Sequence, residues 1–104
     1  MEFHHVGIPT SQKREGMRFL EVTRVWLSAI DAHPFRVEWL WFEPDSPAPE
    51  LVRTVAHVAY AVPSLEEAME GHAVISEPFD VWGEVRVSFV EVDGAPVEFL
   101  EIYS

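Results

Sequence analysis

The chain has 104 residues, no cysteine and a formal net charge of −11. That length suits one folded unit with its own core, and the missing cysteines exclude a disulfide framework and any thiolate metal site, as a reducing cytoplasmic setting would favour. The acidity repels a phosphate backbone and so argues against nucleic acid as a partner. No run approaches the ~20 apolar residues of a membrane span, and MEFHHVGIPTSQKREG lacks the basic and long apolar regions of a signal peptide.

In chain order, EFHHVGIP (residues 2–9) reads as a strand. TSQKREGMRFL (10–20) has turn and weak helix character around Gly16 and predicts a short or irregular helix. EVTRVWLS (21–28) reads as a strand, DAHP turns the chain, and FRVEWLWF (35–42) reads as the next strand. EPDSPAPE (43–50) holds three prolines in eight residues, which remove donors and fix φ, so it reads as a linker.

The pattern then restarts. VRTVAHVAYAV (52–62) is rich in β-formers. PSLEEAMEGH predicts a short helix, with Ser64 and Glu67 as a capping box and Gly71 at the C-terminus. HAVISEPF and EVRVSFVEV read as strands. Asp93-Gly94 marks a hairpin turn that Ala95 and Pro96 are expected to lengthen, and VEFLEIY is the last strand.

The two halves are related by a repeat. RVEWLWF (36–42) aligns with PVEFLEI (96–102), matching Val37, Glu38 and Leu40 to Val97, Glu98 and Leu100. HVGI (5–8) aligns with HVAY (57–60), matching His5 and Val6 to His57 and Val58. From His5 to Glu38 is 33 positions and from His57 to Glu98 is 41, so the first half is the shorter.

The repeat gives two histidines and two glutamates at equivalent places. Alternate residues of a strand share a face. His5 therefore lies beside Gly7, and His57 beside Ala59 and Ala61, small neighbours that leave room for an imidazole. Glu38 shares its face with Leu40 and Phe42, and Glu98 with Leu100 and Ile102. A carboxylate on an apolar face costs several kcal/mol unless compensated. Two imidazoles and two carboxylates form an N2O2 set suited to Zn, Ni, Co, Fe or Mn. Taken singly, each histidine also reads as a hydrogen-bonded structural residue, and each glutamate as a solvent-facing one.

The stretches FHHVGIPT, FRVEWLWFE, AHVAYAVPSLEEAME and VDGAPVEFLEIY resemble the vicinal oxygen chelate superfamily, which includes glyoxalase I, bleomycin-resistance proteins and extradiol dioxygenases. The resemblance implies an α+β fold of two βαβββ-type modules forming a half-open barrel. Here the first module, about 1–46, is shortened, the linker spans about 43–50, and the second module spans about 51–104, all within a single glyoxalase-like domain. It implies a divalent metal ion (Zn, Ni, Co, Mn or Fe) held by His5, Glu38, His57 and Glu98. The implied activity is lyase or isomerase chemistry: proton transfer by Glu98 or Glu38 next to a carbonyl, with the intermediate stabilised as a metal-bound enediolate. The alternative is a metal-free protein that binds a small-molecule drug, as bleomycin-resistance proteins do. Small members of the family pair, so a homodimer is expected.

Other residues carry weaker signals. His4 faces away from His5 by strand alternation and reads as a surface or interface residue, and His33 and His72 sit at turns. Trp39 and Trp41 point away from Glu38 and are expected to pack on helices. Arg36 and Arg86 are weak candidates for holding an anionic substrate.

Overall fold

A computed structural model describes residues 1–103. It contains eight strands: β1 (Glu2–Pro9), β2 (Arg18–Leu20), β3 (Val25–Leu27), β4 (Val37–Phe42), β5 (His57–Ala61), β6 (Ala73–Val81), β7 (Val85–Val92) and β8 (Ala95–Ile102). Two short helices, α1 (Glu50–Thr54) and α2 (Leu65–Met69), complete an α+β fold. The strands form one sheet in the order β2-β3-β4-β1-β5-β8-β7-β6, curled into a half-barrel. Among the described residues, no helix is long and apolar enough to cross a membrane.

The order mirrors itself about the seam between β1 and β5, which pair antiparallel. In each half the last strand returns parallel beside the first: β4 beside β1, and β8 beside β5. The other pairings are antiparallel. The seam therefore collects the first and last strands of both halves, which bear the repeated His and Glu.

The curled inner face holds a core of Leu20, Val25, Leu27 and Leu40 in the first half, and Ala59, Val87 and Leu100 in the second. Phe79 and Val81 pack against both clusters. The outer faces of the two halves are covered differently. In the second half α2 inserts the fully buried Leu65 among Val62, Val90 and Phe99. Ser64 caps that helix by accepting from the Glu67 backbone N–H, as the capping box predicted.

The short helix expected within 10–20 is absent; the chain there runs through turns and then enters β2. In place of a helix, Lys13 lays its ammonium 3.5 Å from the Trp26 ring centroid, and the Arg14 guanidinium stands 4.1 Å from that of Trp39. The outer-face tryptophans thus meet cations rather than helices.

Three further expectations are corrected. Residues 21–24 are the turn of the β2–β3 hairpin rather than strand. The proline-rich stretch leads directly into α1, so Val52–Thr54 are helical rather than β; Pro49 at the N-cap sets the entry. The Asp93-Gly94 turn is not lengthened: Val92 pairs with Ala95, and φ values of 53° and 82° give a tight two-residue turn.

Candidate metal centre

Register alone brings the four repeated residues together. Across three adjacent strands, Glu38 of β4 lies beside Gly7 of β1, which lies opposite His57 of β5. In the next row His5 of β1 lies opposite Ala59 of β5, which lies beside Glu98 of β8. Each row places one of the two small residues between a histidine and a glutamate. The crossing is close: a Cβ built on Gly7 would stand 2.2 Å from His57 Cε1. Gly7 is not in the left-handed region, so space rather than backbone conformation requires the glycine here.

All four side chains face the interior. His5 is 1 % exposed, His57 3 % and Glu98 6 %, and the Glu38 side chain is 12 % exposed. His57 Nε2 stands 2.8 Å from Glu98 Oε1, and His5 Nε2 stands 3.4 Å from Glu38 Oε1 and 3.5 Å from Glu98 Oε1. None of these contacts has hydrogen-bond geometry: His5 Nε2 and both nitrogens of His57 are buried without a hydrogen-bond partner. Such orphaned atoms are rare inside proteins and call for an explanation.

The electrostatics couple His5 and His57 to the carboxylates. Burial alone would depress His5, but its contacts with Glu38 and Glu98 outweigh that and hold it up to about 9. Burial alone would raise Glu98, but His5 and His57 outweigh it and hold the carboxyl down to about 2. The metal-free cluster therefore stores a proton on His5 at neutral pH, charge-balanced by the carboxylates.

His5, Glu38 and His57 each offer a ligand atom, and these atoms all lie within 4.8 Å of one another. Ligands about 2.1 Å from a tetrahedral ion sit about 3.4 Å apart. Within that triad the 3.4 Å contact of His5 with Glu38 matches the edge; the 3.5 and 2.8 Å contacts are those of Glu98 with His5 and His57. Two imidazoles and a carboxylate with unpaired nitrogens could hold a divalent ion, and Glu98 lies beside both imidazoles.

His4 belongs with this cluster, contrary to its expected surface role. Phe3 pairs with Tyr60 and His5 with Ala59, so His4 is the extra residue of a β-bulge. A bulge breaks strand alternation and re-aims the side chain. His4 Nδ1 lies 2.8 Å from His5 Nδ1, which leaves His5 Nε2 as the nitrogen facing the carboxylates. Burial, then the neighbouring His5 and Arg36, hold the His4 pKa below its ordinary value. Sequence alternation could not reveal this role.

Arg36 and Arg86 lie elsewhere. Arg36 Nε donates to the His4 carbonyl at 2.6 Å and its Nη1 to Asp31 at 3.0 Å, so it braces the bulge. Arg86 pairs with Glu66 and Glu101.

The cluster opens into an inner-face cavity of about 90 Å³. Glu38, His57 and Glu98 form its polar wall; Leu27, Leu40 and Val87 are typical of the rest. Ala48 and Val52, from the linker and α1, cover one side. None of the four tryptophans lines it.

No family model matches the chain, and no curated protein matches it. Among solved structures it is similar to a hypothetical protein of Bacillus halodurans, with a TM-score of 0.69 and 20% identity over 99% of this chain and 95% of that one. That likeness is one of fold: a curled mixed-sheet half-barrel shared nearly end to end.

Proposed function

We propose that the two halves are copies of one βαβββ-type module of the vicinal oxygen chelate kind, the first having lost its helix, and that the chain is a small metal-dependent enzyme of the glyoxalase type. The mirrored strand order supports the first part. The observation carrying the second is the set of orphaned imidazole nitrogens around two buried carboxylates. His5, Glu38, His57 and Glu98 would hold a divalent ion, which as a Lewis acid supplies polarisation of a substrate carbonyl.

The residues divide the remaining work. Glu98 is fixed between two imidazoles and held down to about 2, so it stays ionised as a charge anchor. Glu38 makes a single 3.4 Å contact with His5 and is the more open carboxylate. Glu38 is therefore the base that takes a proton from the carbon next to the carbonyl and returns it to the neighbouring position. The apolar walls exclude water during that transfer.

The alternative, a metal-free drug-binding protein, is less well supported. Sites for drug-sized guests run from ~300 Å³ upward, well above the cavity seen here. A homodimer also belongs to this reading: β2 and β6 leave two sheet edges, and Phe3 and Phe35 are exposed. Light scattering at micromolar concentration checks it, and a monomer mass refutes it.

The test of the central reading is calorimetric titration of the stripped protein with Zn, Ni, Co, Mn and Fe(II). One ion should bind per chain, and His57→Ala, still folded, should lose it. Equal affinities in the two proteins would refute the metal centre.

A further inference from the structure

We infer that the molecule this site accepts is small, uncharged and alkyl-tailed: a short-chain α-hydroxyketone or vicinal dicarbonyl, rather than a carboxylate, a phosphate ester or a bulky thiol adduct. The oxygen pair rests on the function proposed above; size and charge rest on the cavity alone.

Size comes first. The cavity of about 90 Å³ is smaller than the roughly 150 Å³ of a dry cavity that takes one benzene. On that scale it takes about four carbons in all, those bearing the oxygen pair included, because Glu38, His57 and Glu98 line the same space. Phe79 limits it, because that ring packs against the core clusters of both halves while lining the cavity.

Charge comes second. Among the described residues, no lysine or arginine lines the cavity. All seven basic side chains are engaged elsewhere. Lys13, Arg14 and Arg18 lie over tryptophan rings. Arg24, Arg36 and Arg86 pair with carboxylates, and Arg53 donates to the Ala48 carbonyl. The charged wall is Glu38 and Glu98, whose two negative charges a divalent ion would only cancel, so a substrate anion finds no surplus positive charge there.

Polarity comes third. Apart from the His/Glu wall, the only hydroxyls lining the cavity among the described residues are those of Thr23 and Ser76. A polyol or peptide tail would leave its groups unpaired against Leu27, Leu40 and Val87, whereas an alkyl tail loses nothing there.

The experiment titrates the metal-free, full-length protein with 1-hydroxy-2-alkanones of three to eight carbons and with lactate, following amide shifts by NMR. Zinc binding is measured separately by calorimetry. Each added methylene should tighten binding about fourfold until the cavity is full, with an optimum near four carbons in all. Shifts should centre on Leu40 and Val87, and lactate should bind about tenfold more weakly than hydroxyacetone. Phe79→Ala, checked for folding by its amide spectrum, should move the optimum about two carbons longer. A flat or endless chain-length dependence, shifts away from the cavity, or tighter binding of lactate would overturn the inference. Failure of the metal reading shows separately, as absent zinc binding with the chain-length optimum retained.

Discussion

Gly7→Ala adds one methyl group in the middle of the row that runs from Glu38 through Gly7 to His57. The new Cβ would stand 2.2 Å from His57 Cε1, 2.4 Å from Nε2 and 2.9 Å from Nδ1. Carbon contacts settle at about 3.5–4.0 Å, so the imidazole must retreat by roughly 1 Å or more. The ring has little room to do so. Phe89 stands edge-on at 5.0 Å between centroids, and His5 at 5.8 Å. Overpacking of this kind costs about 1–3 kcal/mol, which for a domain of this size lowers Tm by at least about 4 °C. The effect on the site is larger. Metal–nitrogen bonds of about 2.0–2.1 Å do not survive a shift of that size, so zinc affinity should fall about a hundredfold or more. Thermal melts of the stripped protein read the first quantity and zinc calorimetry the second. A variant keeping both the wild-type Tm and the wild-type affinity would show that the His57 ring does not lie where the register puts it.

The remaining predictions concern protons and the bulge. The His5 pKa is raised to about 9, so its contribution to metal-free stability is complete below about pH 6.5 and is lost as pH rises through 9. Glu98 is depressed to about 2, so its contribution is present above about pH 4.5 and is lost as pH falls toward 2. Melts of the stripped protein should therefore be highest between about pH 4.5 and 6.5; a Tm still rising from pH 7 to 9 contradicts the assignment. Zinc must displace the His5 proton, so its affinity should rise about tenfold per pH unit from 7 to 8, as calorimetry in matched buffers would show. Glu98→Gln should bring the His5 pKa, followed by NMR, back toward its ordinary value and weaken zinc binding; an unchanged His5 titration would dissociate the pair. His4→Ala should cost about 10- to 100-fold in zinc affinity and shift the His5 Nδ1 resonance with little change in Tm, and a silent variant would return His4 to the surface role its strand position suggested.

The convergence of the four residues was legible because it rests on two features that survive in a one-dimensional reading: a repeat, and the two-residue period of strands. His5 beside Gly7, and His57 beside Ala59, already signalled room for imidazoles, and the register converts those neighbours into cross-strand partners. His4 was hidden because a bulge inserts one residue and cancels the parity from which facing is inferred. The missing first helix was signalled only by the weakness of its own pattern. Proline density marked the start of the linker but not α1, since proline tolerates the first turn of a helix as readily as a loop. The cation-covered tryptophans were unreadable because long-range pairing of Lys13 with Trp26 has no local pattern.

The unequal cover on the two halves makes the sheet's resistance to opening directional. On one side a helix with a fully buried leucine seals the outer face; on the other, a turn-rich strap holds by side-chain cations. Amide hydrogen exchange should accordingly run ahead in β2–β4 and lag in β7 and β8, as cooperative units of unequal depth do. His5 and Glu38 belong to the looser flank, while His57 and Glu98 belong to the firmer one. A divalent ion gripping all four would act as a clasp closing the weak flank onto the strong one, slowing exchange most in β1 and β4.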